Sequence, residues 1–395
     1  MSDNEPTQPA LPFPGARDGI ELRHLRAFVA VADELSFAHA ADRLYVSAPA
    51  LSRQIRGLEQ LIGTELLRRS THRVELTVAG DALLDRARRV LGDVDEAVTT
   101  AMALGGELLG RVARVWKPQE GLYGVEPLLD DARAASEAMH SRIAQPAGTE
   151  VRPVIAGGTP SLLVTPPGVM EATVLHLHGG AFMTASAYGY RPHGGALALS
   201  AQTGVLLPEF RLAPEHPFPA GLGDSLAAYR WLLARGVPPE RLTLSADATG
   251  ASIALSLLLT LKAQQEPLPG KLVLFCPWVD LQLAREDPAA GPLVFNLDAA
   301  RRCAAMYLGD HPPRDPIVDP LAADLSGLPP MLIQTATGDA RLTDSRRLAA
   351  RARDHGVDAS LRLFPIDAHA FHLFWSFLPD AADAMDAAGA FIRDG

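Results

Sequence analysis

The chain has 395 residues, 48% of them hydrophobic and 21% charged, which excludes a disordered, collagen-like or disulfide-stapled protein and allows more than one core. Its two cysteines, Cys276 and Cys303, make no metal-ligand cluster and suit a reducing compartment, and no apolar run is long enough to span a bilayer. The net charge of -10 argues against a polyanionic partner for the chain as a whole, yet from Ser47 to Arg73 five arginines stand against two acids.

Residues 1–20 are polar and Pro-rich and read as a disordered tail. They hold no apolar core of a secretory leader, so a cytoplasmic location is expected. Residues 21–78 carry Leu, Ala and Arg at helical spacing. Ser36 can cap a helix from Phe37 to Leu44, and Ser47 a second one with Pro49 in its first turn. On the second helix Leu51, Ile55, Leu58 and Ile62 form one stripe, with Pro49, Ser52, Arg53 and Arg56 roughly opposite. One face would pack while the other offers hydroxyl and guanidinium groups, as a helix entering the major groove requires. Glu65 to Arg69 and Val74 to Leu76 can pair as a hairpin, with Ser70, Thr71, His72 and Arg73 at a tip suited to phosphate contact. A plain amphipathic helix pair would produce the same spacing.

The residues from Leu22 onward, LRHLRAFVAVADELSFAHAADRLYVSAPALSRQIRGLEQLIGTELLRRSTHRVELTVAGDALL, closely resemble the winged helix-turn-helix of LysR-type transcriptional regulators. The resemblance implies binding to double-stranded DNA through Ser47, Pro49, Ser52, Arg53, Arg56, His72 and Arg73. One departure is Ala48, where that family usually carries Gln. Thr77 is expected to cap a long helix over 77–112. Along it Leu84, Ala87, Leu91, Val94, Val98 and Ala101 recur at 3, 4, 3, 4, 3, a heptad seam that packs either on the chain's own core or on a second copy. In the LysR-type family the equivalent helix dimerises, which implies a homodimer or higher assembly through 77–105.

From 116 to 395 strand-like and helix-like pieces alternate: Ala172–His178, Leu222–Ala234, Leu242–Ser245, Ala251–Ala263 and Lys271–Phe275. That alternation predicts a doubly wound, mostly parallel α/β sheet. The stretches LHLHGGAF, FRLAPEHPFPA, LPPMLIQ and PIDAHAF, in this order, resemble the hormone-sensitive-lipase-like branch of the α/β-hydrolases. The resemblance implies an α/β-hydrolase fold with a helical cap and a site ordered nucleophile, acid, histidine. It assigns Gly179 and Gly180 to the oxyanion hole, His369 to the histidine and Asp339 to the orienting acid, with Asp344 as an alternative acid.

The family writes Gly-Asp-Ser-Ala-Gly-Gly at the strand-to-helix elbow. Here the stretch reads Ala246-Asp247-Ala248-Thr249-Gly250-Ala251, so Ala248 falls at the serine position. The Thr249 N–H remains able to complete an oxyanion hole. Thr249, Asp247 and Ser245 are the alternative nucleophiles. Deleting a serine nucleophile costs roughly a million-fold in kcat, on the order of 8 kcal/mol. The expectation is therefore a DNA-binding regulator whose degenerate hydrolase domain holds a small ester, lactone or acyl compound, the alternative being an active carboxylesterase fused to a DNA-binding domain. No metal, cofactor or membrane is expected, and His176, His193, His216 and His372 are given structural roles.

Overall fold

In the computed structural model, residues 19–69, 74–119, 122, 128–283 and 297–394 are described, though not the side chains of 96–104. The tail expected at 1–20 lies almost wholly outside them, as do His72 and Arg73. The chain divides into two compact units, 1–106 and 107–395.

The first unit is built on capped helices. Helix α1 (Leu22–Glu34) buries Ala27, Phe28, Ala30 and Val31 and stops at Leu35, which adopts the left-handed conformation. Helix α2 (Phe37–Arg43) starts at Ser36, whose Oγ accepts the His39 N–H at 3.3 Å. Helix α3 (Ala48–Ile62) starts at Ser47, whose Oγ accepts the Ala50 N–H at 3.4 Å, and ends at Gly63 with φ +81°. In both cases a short polar side chain satisfies a helix N–H that would otherwise go unpaired. Leu51, Ile55 and Leu58 are buried against α1 and α2; Ile62 is half-buried.

Strands β1 (Leu67–Arg69) and β2 (Val74–Leu76) pair antiparallel. The Glu59 carboxylate accepts the Leu66 and Leu67 N–H groups at 3.0 and 3.2 Å, which ties the hairpin to α3. Thr77 then accepts the Gly80 N–H on its Oγ1 at 3.0 Å and opens helix α4 (Val78–Trp116), four residues longer at its C-terminal end than the sequence suggested. Leu84 and Ala87 are buried in this unit's own core. The heptad seam is therefore shortened at its start, because its first two positions already have partners; Leu91 and Val94 remain half-buried.

The second unit is an eight-stranded sheet in the order β10-β9-β8-β7-β5-β6-β4-β3. Strand β3 (Glu150–Ala156) pairs antiparallel with β4 (Thr159–Thr165) across a turn at Gly157 and Gly158, whose φ of +62° and +96° favour glycine. Strand β4 is antiparallel to β6 (Gly204–Pro208). The remaining pairs are parallel: β6 with β5 (Ala172–Leu177), β5 with β7 (Thr243–Asp247), β7 with β8 (Lys271–Phe275), β8 with β9 (Met331–Ala336) and β9 with β10 (Ala359–Phe364). Strands β6 and β7 are buried at every residue, as parallel strands covered on both faces must be. Helices α7 (Ala220–Ala234) and α8 (Gly250–Ala263) pack together, as do α6 (Arg191–Ala201) and α11 (Pro379–Arg393).

From β5 the chain runs to β6 on one side, and the next sheet strand, β7, lies on the other. Such a switch in strand order opens a crevice beyond the C-terminal strand ends. Those ends carry His178-Gly179-Gly180 and Asp247-Ala248. Gly250, at the start of α8, crosses β5 so closely that a Cβ there would stand 2.2 Å from the Leu177 carbonyl oxygen. Only glycine lets the helix and the strand meet at this spacing.

Candidate active site and nucleic-acid interface

The turn from β7 into α8 places Ala248 at φ +43°, a left-handed conformation that costs a residue with a Cβ about 1–2 kcal/mol. Its backbone is fixed on both sides. The Ala248 N–H donates to the Phe275 carbonyl at 3.0 Å, and its own carbonyl accepts the Trp278 N–H at 2.9 Å. The methyl group of Ala248 lies in a cavity of about 40 Å³ together with Gly180, Ala181, Thr249, Trp278 and His369.

Asp339 follows β9, and His369 sits in the loop after β10. Their side chains meet with His369 Nδ1 3.0 Å from Asp339 Oδ2 and 3.1 Å from Oδ1. Burial alone would raise the Asp339 carboxyl, but the His369 imidazole overrides it and holds the group below its ordinary value. Burial would likewise lower His369, and the Asp339 charge holds it above its usual value instead. Asp344, the alternative acid, faces elsewhere. Its Oδ2 accepts the Val279 and Asp280 N–H groups, both at 3.0 Å, and burial pushes its carboxyl up to about 6.

The oxyanion donors need one correction. The Gly179 N–H donates to Asp247 Oδ1 at 2.8 Å, so it is not available to a ligand. The N–H groups of Gly180, Ala181 and Thr249 have no acceptor among the described residues, and all three residues line the cavity. Gly180 is at φ +115°, and a Cβ there would meet the Thr184 carbonyl oxygen at 2.2 Å. Glycine at 180 is therefore needed to turn the loop, and Ala181, at φ +55°, has the unpaired N–H that Gly179 lacks. The clue was positional: Ala181 directly follows the His-Gly-Gly motif.

The three other candidate nucleophiles are committed elsewhere. The Thr249 Oγ1 accepts the Phe182 N–H at 3.3 Å. The Ser245 Oγ is buried 3.0 Å from His176 Nδ1. Asp247 also accepts the Tyr190 hydroxyl at 2.8 Å, while His176 Nε2 and His372 Nε2 stand 3.4 and 3.6 Å from its oxygens. Burial opposes its charge, but these imidazoles hold its carboxyl well below the ordinary range.

His140, His176, His178, His193 and His372 are all buried around this point, whereas His216 is exposed. None belongs to a cluster able to hold a metal ion among the described residues. Burial pushes the His178 imidazole down to about 4, only partly opposed by its bond to the Gly179 carbonyl. The unfolded chain would titrate it near 6.5. Stability is therefore expected to fall as pH drops from 6.5 towards 4, by about 3 kcal/mol for this residue, because only the unfolded state takes up the proton. The raised His369 contributes in the opposite direction. Urea unfolding at pH 7 and pH 4.5 checks this: native chain must lose more stability on acidification than a His178→Phe variant, and equal losses would overturn the assignment.

On the first unit, Ser47, Pro49, Arg53 and Arg56 are exposed along one side of α3, and Ser52 is half-buried. Arg56 Nε donates to the Ser52 carbonyl at 3.3 Å. No ion pair involves Arg53 among the described residues. The five described positions thus share the first half of one helix, opposite the packed stripe.

Comparison with known proteins supplies the family. The model of the alpha/beta hydrolase fold matches residues 174–373, just over half of the chain. An acetyl-hydrolase of Streptomyces hygroscopicus is 37% identical over 224 residues, 56% of this chain and 75% of that protein. The chain belongs to the alpha/beta hydrolase fold family. A second model, for bacterial regulatory helix-turn-helix proteins of the lysR family, matches residues 22–81 and makes the first unit a DNA-binding module. An esterase of Acinetobacter venetianus is 32% identical over 240 residues, 60% of this chain and 79% of that protein. The crystal structure of an esterase from the bacterial hormone-sensitive lipase family is 35% identical, with a TM-score of 0.63 over 67% of this chain and 91% of that one. The chain thus joins two modules, and none of its described helices is long and apolar enough to cross a membrane.

Proposed function

We propose that this chain is a transcriptional regulator in which the hydrolase domain senses a small carbonyl compound without cleaving it. The reading rests on one observation: a methyl group, that of Ala248, stands at the elbow where attack on a carbonyl would begin. The surrounding parts favour binding. Three unpaired N–H groups can hold a carbonyl oxygen, and the His369–Asp339 pair lines or supports the same cavity. At about 40 Å³, room for roughly three water-sized groups, the cavity can take the carbonyl and the first carbons of a short acyl group, not a whole ester or lactone.

The DNA-binding module would act as a pair, because operators with two half-sites need two reading heads. Leu91 and Val94 on α4 are half-buried in the single chain and offer the start of a dimer seam. Trp116, the last residue of α4, lines the cavity, so occupancy can reach DNA affinity through that helix. A regulator that binds DNA would act in the cytoplasm.

A second reading, an esterase tethered to DNA, is favoured by the relatives named acetyl-hydrolase and esterase. One experiment separates the two. The purified chain is assayed with p-nitrophenyl acetate and a fluorophosphonate probe, and its affinity for its own upstream DNA is measured with and without short-chain esters. The regulator reading expects no turnover above a His369→Ala control, no covalent adduct, and a change in DNA affinity. Turnover at ordinary esterase rates, or an adduct, would overturn it.

A further inference from the structure

Strand β3 lies at the edge of the large sheet. Its register with β4 sets Pro153 opposite Leu162 and Ile155 opposite Pro160, so these four side chains share one face. A strand face left to water normally carries polar residues, yet this one is apolar, and Ile155 is 63% exposed. With Ala187 and Tyr188 the four line a groove of about 430 Å³. That is the size of a small-molecule site. None of its lining residues lines the cavity beside Ala248.

Glu209, directly after β6, is the one charged residue among those lining the groove. Its side chain is exposed, so a ligand can reach it. Oε2 accepts the Ala187 N–H at 2.8 Å, and Oε1 has no hydrogen-bond partner among the described residues. The nearby basic side chains are engaged elsewhere. Arg211 gives its backbone and guanidinium N–H groups to Asp224. Arg191 stacks on the Tyr188 ring, 3.3 Å from its centroid, and donates to the Tyr188 carbonyl. Partial burial pushes the Glu209 carboxyl above its ordinary value, and the charge of Glu137 on helix α5 (Leu129–His140) adds to this against the Ala187 N–H.

A carboxylate with a free oxygen at an apolar groove suits a cation, and the walls suit a hydrocarbon body attached to it. An added strand fits less well, because Pro153 has no N–H to donate in the middle of β3. We propose that the groove binds a small arylalkyl amine in its ammonium form, with its hydrocarbon on Ile155 and Leu162 and its N–H groups on Glu209. This site is independent of carbonyl sensing and would stand even if the hydrolase unit cleaved esters.

Three probes of similar shape test the proposal: 2-phenylethylamine, 2-phenylethanol and 3-phenylpropanoate, which differ in charge. Their binding to the full chain is measured at pH 7 by calorimetry and ligand-observed NMR. The amine is expected to bind at least ~10-fold more tightly than the alcohol, and the carboxylate more weakly than both. Glu209→Gln keeps an acceptor for the Ala187 N–H, so the fold should hold. It should bring the amine-to-alcohol ratio close to one while alcohol affinity stays within about threefold. Ile155→Ser should weaken amine and alcohol alike and leave the sedimenting mass unchanged. Equal binding of amine and alcohol, a preference that survives Glu209→Gln, or no binding of the amine would each overturn the proposal. If Ile155→Ser lowers the sedimenting mass, a second copy covers this face and the amine site is likewise excluded.

Discussion

Ala248→Ser is expected to raise hydrolysis of p-nitrophenyl acetate at least ~10³-fold above the native chain, given that a serine nucleophile is worth roughly a million-fold elsewhere. The serine would need no new backbone. Ala248 already adopts φ +43°, and its N–H and carbonyl are held by Phe275 and Trp278. Serine differs from alanine by one oxygen, and that atom would enter the cavity that His369 also lines. The histidine is oriented by two contacts to Asp339, at 3.0 and 3.1 Å. The raised pKa of His369 suits it to take a proton from the hydroxyl and return it to the leaving alcohol. Three N–H groups would stabilise the developing oxyanion.

The control is Ala248→Ser combined with His369→Ala, which should return to the native baseline. An inert Ala248→Ser chain with unchanged circular dichroism would show that the remaining groups are no longer aligned for catalysis. A native chain already as fast as the variant would support the esterase reading. The relatives named esterase and acetyl-hydrolase give the expected substrate class, and the variant should act on short acyl esters before long ones because the cavity is small.

Much of this arrangement was legible in local chemistry. Ser36 and Ser47 announce helix starts because a hydroxyl two or three residues before an amide can accept its proton, and that depends on nearby residues alone. The buried strands β5 and β7 show as short apolar runs between turn residues. What the sequence left open is decided by contacts between distant segments. Asp339 and Asp344 both lie at plausible spacing from His369, and only the way α10 (Leu342–Asp354) turns Asp344 towards the 279–280 backbone separates them. Gly179 looked like an oxyanion donor until the fold brought Asp247, 68 residues away, onto its N–H. His140 and Trp116 lie N-terminal to the matched hydrolase region, at positions where no motif marked them. The seam on α4 read as one surface, yet Leu84 and Ala87 are claimed by the packing of the first unit.

The double variant Arg53→Ala, Arg56→Ala is expected to weaken specific DNA binding on the order of 10²-fold at 0.1 M salt, since each arginine lost from a base or phosphate contact costs about 1–3 kcal/mol. Both side chains are exposed on α3, across the helix from buried Leu51, Ile55 and Leu58. Their loss removes charge without opening the core, so the melting temperature should hold within a few degrees. The salt dependence is the sharper readout. If both arginines meet phosphates, the slope of log K against log salt should fall by roughly two units, whereas loss of base contacts alone would leave the slope in place and relax sequence preference. Arg346→Ala, which removes an exposed arginine from α10 of the hydrolase unit, serves as the charge control. With a whole-chain charge of -10, attraction to DNA must come from a local surface. If Arg346→Ala weakens binding as much as the double variant does, the contact face is not on α3 and the reading head has been misplaced.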